Sequence, residues 1–482
     1  MSGAGVVDAI RARASSQPGA AAFVVDRGAA GRERIAYGAL LARVDAGAAA
    51  LRADGVAPGD RCGLVARQGP GFVEAALAVM AAGGCLVPIP DDHQGAVLED
   101  FAARAHLHRL AVPDAAGALA WRRFAGVAPV DGRGDAAFRA LAPAYLRFTS
   151  GTTARRKGVI LGHAAIQARL DAANRGLAIS PADRVLWLLP MAHHFVVSIL
   201  LYLREGATVL LPAGSLARPV LELAEREGAT VLYASPYHYQ LLARDGSELR
   251  LETVRLAVST AEGLQEGVAR AFQARFGRPL VQALGIIEVG LPVLNREHAA
   301  AKPTALGRPL PDYEVWLRGE DGRPVPDPTA PERSGEVCIR GPGLFDAYLE
   351  PWTPAREVLE PDGFRTGDQG WLDADGDLHL AGRRANRINM AGMKFFSEEV
   401  EAVLDAHPAV ARSRVLARAH AHLGEIPIAE LELAAGAAPP APRELAAWCR
   451  ARLPLYKVPR EFRVVDALPT TATGKLARAP AS

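Results

Sequence analysis

The chain has almost no net charge, few cysteines and no long apolar run, and each shortage removes a class of function. Its 55 Lys and Arg stand against 53 Asp and Glu, a formal net charge of only +2. Neither the basic face of a nucleic-acid binder nor an acidic tail is indicated, so small molecules are the expected ligands. Four cysteines, Cys62, Cys85, Cys338 and Cys449, lie in separate apolar or strand-like segments without a C-x-x-C pair. Buried free thiols in a reducing cytosol follow. The opening MSGAGVVDAIRARASSQPG is broken by Asp8, Arg11 and Arg13 before a signal-peptide core can form. No run reaches the ~20 apolar residues of a membrane span, and a cytoplasmic protein is expected.

What is present is a long globular chain, 482 residues of which 50% are hydrophobic and 22% charged, enough for several lobes. Apolar strand-like runs such as RCGLVA, CLVPIP, RVLWLLP, ATVLLP and ATVLYASP alternate with helical stretches, among them HAAIQARLDAAN, FVVSILLYLREG and VLELAEREG. That alternation predicts α/β structure with parallel sheets and crossover helices. Beyond residue 305 the strands shorten and are punctuated by Gly, Pro and Asp, as in YEVWLRG, GEVCIRG and GDLHLAG, which predicts an antiparallel or barrel-like β lobe. GRRANRINMAGMKF then leads into an α+β tail. The expected organisation is a large domain over 1–382 and a small, mobile α+β domain over 383–482 carrying a lysine near its end.

The stretch TSGTTARRKG, Thr149 to Gly158, follows the strand-like AYLRF and crowds glycines, hydroxyls and three cations, Arg155, Arg156 and Lys157, into ten residues. Small residues let backbone N–H groups approach a phosphate, hydroxyls donate to its oxygens, and a lysine adds a point charge. A solvated basic turn is the plain alternative. A Walker-type loop requires Ser or Thr after its lysine, whereas Gly158 follows Lys157 here.

Further motifs follow in order: QALGIIEVG with Glu288, FRTGD with Asp368, GRRANRINMAGMKFFSEEVE with Arg383, and TATGKLAR with Lys475. Together with TSGTTARRKG and GEVCIRGPGLFDAYL, this ordered set resembles the adenylate-forming superfamily of acyl-CoA synthetases, aryl-acid and amino-acid adenylation domains and firefly-type luciferases. The resemblance spans almost the whole chain. It implies an ATP-dependent carboxylic acid:thiol ligase that releases pyrophosphate to make an acyl-adenylate, then a thioester with CoA or with the phosphopantetheine of an acyl or peptidyl carrier protein.

Residue by residue, the resemblance implies that Ser150, Thr152, Thr153 and Lys157 hold the β- and γ-phosphates, with Thr149 and Gly151 also in the ATP site. Glu288 would hold Mg²⁺, Asp368 would accept from the ribose hydroxyls, and Arg383 would donate to ribose or phosphate. Ala261, Glu262 and Gly263 would lie close to the adenine, and Gly285 would belong to the ATP site. Lys475 would contact carboxylate and α-phosphate during adenylation. A hinge at Ala385 would then swing the small domain so that Gly392 and Lys394 line the thiol side.

WLLPMAHHFVVSILLYL resembles the segment that enters the family's acid pocket, with His193 beside the carboxylate and His194, Phe195 and Ser198 around it. Because His194 stands near the position where amino-acid-activating members carry an aspartate, and imidazole supplies no fixed negative charge, an aryl or fatty acid is expected. Several positions depart from the family pattern. Leu284 and Ile287 replace a tyrosine and a threonine, Ala154 and Arg156 replace a glycine and a proline, and Ala385 replaces a polar hinge residue. A degenerate nucleotide- or carrier-binding homologue and an adenylation-only module are the alternatives.

Overall fold

The computed structural model describes residues 5–114, 119–127, 129–130, 135–148, 157–361, 363–383, 386–420, 422–470 and 476–477. The chain divides into two compact units. The first takes Met1–Gly151, Arg155–Glu314 and Arg340–Pro361, and the second takes Val315–Ile339 and Asp362–Ser482. The boundary expected at 382 therefore falls inside the second unit, which groups most of the punctuated β lobe with the tail.

In the first unit a nine-stranded sheet runs in the order Arg308–Pro309, Gly290–Leu294, Leu280–Ile286, Leu256–Ser259, Val231–Ala234, Arg184–Trp187, Thr208–Leu211, Ala21–Asp26 and Arg32–Ala36. The strands from Leu280–Ile286 to Ala21–Asp26 are parallel neighbours. Covered on both faces, such strands carry continuous apolar runs rather than alternation, and Val231–Ala234 is buried at every position. On one face Leu186, Leu210, Leu232 and Leu280 pack with Val220, Leu221, Tyr239 and Phe272 from the covering helices. Each large aliphatic group so buried contributes roughly 1.5–3 kcal/mol. An eight-stranded sheet, built around Cys85–Pro90, Pro143–Phe148 and Gly158–Gly162, completes this unit.

The parallel strands matter because their carboxyl ends leave a crevice where ligands gather in open α/β sheets. Trp187, Ser259 and Ile286 end three of them, just ahead of the histidine pair, Ala261 and Glu288.

The expected continuous helix over FVVSILLYLREG is not what forms. Phe195–Leu200 winds as a wider i→i+5 turn with a kink at Val197 (φ −80°, ψ 29°), and α-helix resumes only over Leu201–Glu205. A run apolar but for Ser198 gives no period that distinguishes the two windings.

The second unit contains the sheet Glu314–Arg318, Gly335–Arg340, Phe364–Leu372 and Leu378–Arg383, and a five-stranded sheet led by the long hairpin Val410–His420 and Gly424–Leu433. The helix Ser397–Asp405 buries Val400 and Leu404 in a core with Val415, Leu431, Leu445 and Cys449. All four cysteines are buried and free. Among the described residues, no helix is long and apolar enough to cross a membrane.

Candidate active site

Glu288 sits in the bend between the antiparallel strands Leu280–Ile286 and Gly290–Leu294. Arg169, on the helix His163–Leu177 and 1% exposed, holds that bend. Its Nη1 donates to the Ile287 carbonyl at 2.9 Å and its Nε donates to the Gly343 carbonyl at 2.9 Å. Gly343 has φ +68°, and a Cβ there would lie 2.6 Å from the Arg169 backbone nitrogen. Only glycine satisfies both the left-handed backbone and the close approach. Burial pushes the Arg169 guanidinium down to about 10.

The second turn delivers Phe345, whose N–H donates to the Glu288 carbonyl at 2.8 Å. Tyr348 follows, and its hydroxyl donates to Glu288 Oε1 at 3.1 Å. Lys157 Nζ lies 4.4 Å from the centroid of the same tyrosine ring, within cation–π range. Lys157 and Glu288 are thus gathered on one phenol. Burial raises the Glu288 carboxyl above its ordinary value, while the Tyr348 hydrogen bond and the charges of Arg147 and Lys157 oppose the rise.

Arg147 joins this cluster to the histidine turn, because its Nη1 donates to the His193 carbonyl. Desolvation lowers the pKa of Arg147. His193 and His194 are half-buried. Ser198, 1% exposed, donates its hydroxyl to the His194 carbonyl, closing the wide turn on itself. Phe195 is buried against Phe72 and Tyr145, so it braces the turn.

On the expected adenine side, Ala261 has φ +77°, a conformation that costs a non-glycine residue roughly 1–2 kcal/mol. Such outliers persist where the surroundings over-determine them, often at ligand sites. Thr260 anchors the turn by donating to the Ala283 carbonyl at 3.4 Å. Gly263 faces open space, and a Cβ on Gly285 would meet nothing closer than 3.8 Å. The protein itself does not require glycine at either place, and the room they leave suits a planar base. Glu262 is half-buried beside them, as are the apolar Leu284 and Ile287.

In the second unit Asp368 and Arg383 are direct partners across a hairpin, and Arg383 Nε lies 3.0 Å from Asp368 Oδ1. The carboxylate is 7% exposed as a residue, and Thr366 Oγ accepts from the Asp368 N–H at 3.0 Å. Lys394 Nζ is 3.0 Å from Glu320 Oε1, which Arg387 Nη1 also reaches at 2.9 Å. Ala391 and Gly392, at φ +52° and +87°, form the tight turn between the strands Arg387–Met390 and Met393–Phe396, the mirror-image turn that suits a twisted hairpin.

Thr149, Ser150, Gly151, Thr152, Thr153, Ala154, Arg155, Arg156, Ala385 and Lys475 lie outside the described residues. Arg147, Arg169 and Tyr348 join the cluster without having been singled out by sequence reasoning. A charged residue inside the apolar AYLRF and the tyrosine of GEVCIRGPGLFDAYL were the available signals; Arg169 offered none.

The Glu288 carboxylate is a hard oxygen donor, buried and held in place by a hydroxyl donor, which fits a Mg²⁺ ion that takes one or two carboxylates and completes its shell with phosphates.

Known proteins resemble the chain along most of its length. The family model described as AMP-binding enzyme matches residues 10–349, and that of the AMP-binding enzyme C-terminal domain matches residues 399–475. A feruloyl-CoA synthase from Amycolatopsis sp is 30% identical, covering 92% of this chain and 93% of its own. The phosphinothricin tripeptide synthetase PhsC from Streptomyces viridochromogenes is 31% identical over 89% of this chain and 41% of its own. Among solved structures, ATP-bound MatB from Rhodopseudomonas palustris shares the fold with a TM-score of 0.84 at 24% identity, over 98% of this chain and 97% of that one. A chain matched along most of its length by the family's two models, and by a relative of equal extent, belongs to the AMP-binding enzyme family, as an AMP-forming acid–thiol ligase.

Proposed function

We propose that this ligase activates a non-amino carboxylic acid, aryl or fatty, and passes it to the thiol of CoA or of a carrier-protein phosphopantetheine. The observation that carries the reading is the Lys157–Tyr348–Glu288 cluster, joined through Arg147 to the His193 turn. A carboxylate oxygen attacks the α-phosphorus of ATP, the bond to the β-phosphate oxygen breaks, and pyrophosphate leaves with the electron pair. The acceptor thiol then gives up its proton to solvent, its sulfur attacks the acyl carbon, and the acyl C–O bond breaks with AMP leaving with the electron pair.

Positioning and charge carry most of such a reaction. Lys157, with Thr149, Ser150, Gly151, Thr152 and Thr153, holds the β- and γ-phosphates. Glu288 is the residue that would hold Mg²⁺, which would supply positive charge against the phosphates. Ala261, Glu262, Gly263 and Gly285 flank the adenine, Asp368 accepts from the ribose hydroxyls, and Arg383 restrains Asp368 until ribose arrives. His193 orients the acid carboxylate, and Lys475 steadies the charge that develops between acid and α-phosphate. Residues 383–482 act as the moving body, with Ala385 as its hinge and Gly392 and Lys394 on the thiol side.

Two relatives support the two acceptors: one is named for a CoA thioester, the other for peptide synthesis. The four buried thiols support a cytosolic setting. ATP–pyrophosphate exchange with a panel of aryl, fatty and amino acids, followed by thioester formation with CoA or a loaded carrier, tests the whole reading. Exchange confined to α-amino acids would overturn it.

A further inference from the structure

The face of the large sheet that carries Trp187 is closed by aromatic side chains. Trp187 and Tyr233 are direct partners on neighbouring parallel strands, and their rings stack at 5.3 Å with 18° between planes. Tyr202, from the helix that follows the wide turn, meets both rings obliquely at 6.1 and 6.4 Å. His194 reaches the same indole from the half-buried turn, with centroids 6.4 Å apart. Trp187, Tyr202 and Tyr233 are 1%, 0% and 3% exposed.

The group spans the His194 turn, assigned above to the acid, and the Ala261 turn, assigned above to the nucleotide. At one end is His194. At the other, the strand of Tyr233 receives the Thr260 N–H at its Ala234 carbonyl, 3.1 Å away, and Thr260 is the residue before the strained Ala261. Two polar atoms within the group are unsatisfied: the Trp187 indole N–H and the Tyr202 hydroxyl are buried with no hydrogen-bond partner among the described residues. Buried polar atoms are nearly always paired, and an exception calls for a water or a ligand to complete it.

We propose that Trp187, Tyr202 and Tyr233 form the end wall of the acid pocket, and that this wall selects a compact aryl acid bearing a ring oxygen over a fatty acid. The inference rests on the ligase reading above and narrows its substrate. An alkyl chain longer than a few carbons would have to displace rings that are already packed. A planar ring instead gains from edge or offset contact with other rings. A hydroxyl or ether oxygen on that ring supplies the acceptor that the Trp187 N–H lacks, which a methylene chain cannot do.

The test is ATP–pyrophosphate exchange by the full-length protein with benzoate, 4-hydroxybenzoate, 4-hydroxycinnamate, hexanoate and decanoate, compared by kcat/KM. At least one hydroxylated aryl acid is expected to exceed decanoate by roughly ten-fold or more. Trp187→Phe keeps the ring but removes the donor, and should shrink the preference for hydroxylated over unsubstituted aryl acids. Trp187→Ala should open the wall and move the profile toward decanoate; Tyr233→Leu reads the same shift if the alanine variant does not fold. Decanoate as the best wild-type substrate, or an unchanged acid profile in folded Trp187→Phe and Tyr233→Leu proteins, would overturn the wall. Exchange with none of the acids would instead overturn the ligase reading on which it depends.

Discussion

Tyr348 donates its hydroxyl to Glu288 at 3.1 Å while its ring carries Lys157 at 4.4 Å, so one side chain positions both the expected metal ligand and the expected phosphate cation. The two functions can be separated. Tyr348→Phe keeps the ring under Lys157 but removes the donor that lowers the pKa of Glu288. The acidic limb of the pH–rate profile should therefore move to higher pH, with a small change in the KM for ATP. Tyr348→Leu should also raise that KM. An acidic limb that stays in place in Tyr348→Phe would remove Glu288 from the rate-limiting ionisation.

Glu288 itself should show a trade between stability and activity. Its folded-state pKa is raised by burial, so its contribution to stability is full below the unfolded value and is lost as pH climbs through the folded one. Glu288→Gln should flatten that loss, giving a Tm at pH 7 no lower than that of the native protein. Exchange activity should fall by roughly 10²-fold or more. A Tm series between pH 4 and 7, run beside exchange assays, checks both halves.

Arg169 touches no substrate in the proposed scheme yet should matter to it. Arg169→Met orphans the Ile287 and Gly343 carbonyls and should cost about 3 kcal/mol of stability. If the protein remains folded, the KM for ATP should rise because the Glu288 bend loosens. Arg169→Lys should restore part of the Tm. Thermal unfolding and ATP saturation curves measure the two effects independently.

Glu320 pairs with both Arg387 and Lys394, and these cations, Lys394 first, hold its carboxyl below the ordinary range. If Lys394 serves the thiol side as proposed, Glu320→Gln should free that cation. The KM for CoA should fall several-fold and pyrophosphate exchange should stay at the native rate. Equal effects on both half-reactions would return Lys394 to an ordinary surface position.

Replacement of Lys475 by Ala should lower acid-dependent pyrophosphate release by roughly 10²-fold without changing the unfolding temperature. Joint replacement of Arg155 and Arg156 should raise the ATP requirement, because Ile287 supplies no hydroxyl to the phosphates. Unchanged kinetics would assign both arginines to solvent.

Much of this was legible because of how each residue is placed in the chain. Parallel strands announce themselves as short apolar runs, and Glu288 and Asp368 stand out as carboxylates, one in the bend after a strand and one directly after Gly367. The lysines of the chain are Lys157, Lys302, Lys394, Lys457 and Lys475, a scarcity that makes Lys157, Lys394 and Lys475 conspicuous. Arg169 was not legible, since a basic residue in a helix usually faces water and only tertiary packing turns this one inward. The wide turn over Phe195–Leu200 was hidden by six consecutive residues with no polar period. Tyr348 lay within a recognised segment, but its task is a distance to Glu288 across 60 residues of chain.

Between Ile287 and Gly343 the chain departs for the second unit, where it supplies Val315–Ile339, before returning. The two ends of that excursion are fastened to one guanidinium. Arg169 therefore acts as a buckle at the base of a loop, and the spacing between the Glu288 bend and the Tyr348 strand is set by one side chain rather than by the length of what lies between. Lengthening, shortening or nicking the polar stretch around Asp327 should leave the first unit's candidate cluster assembled.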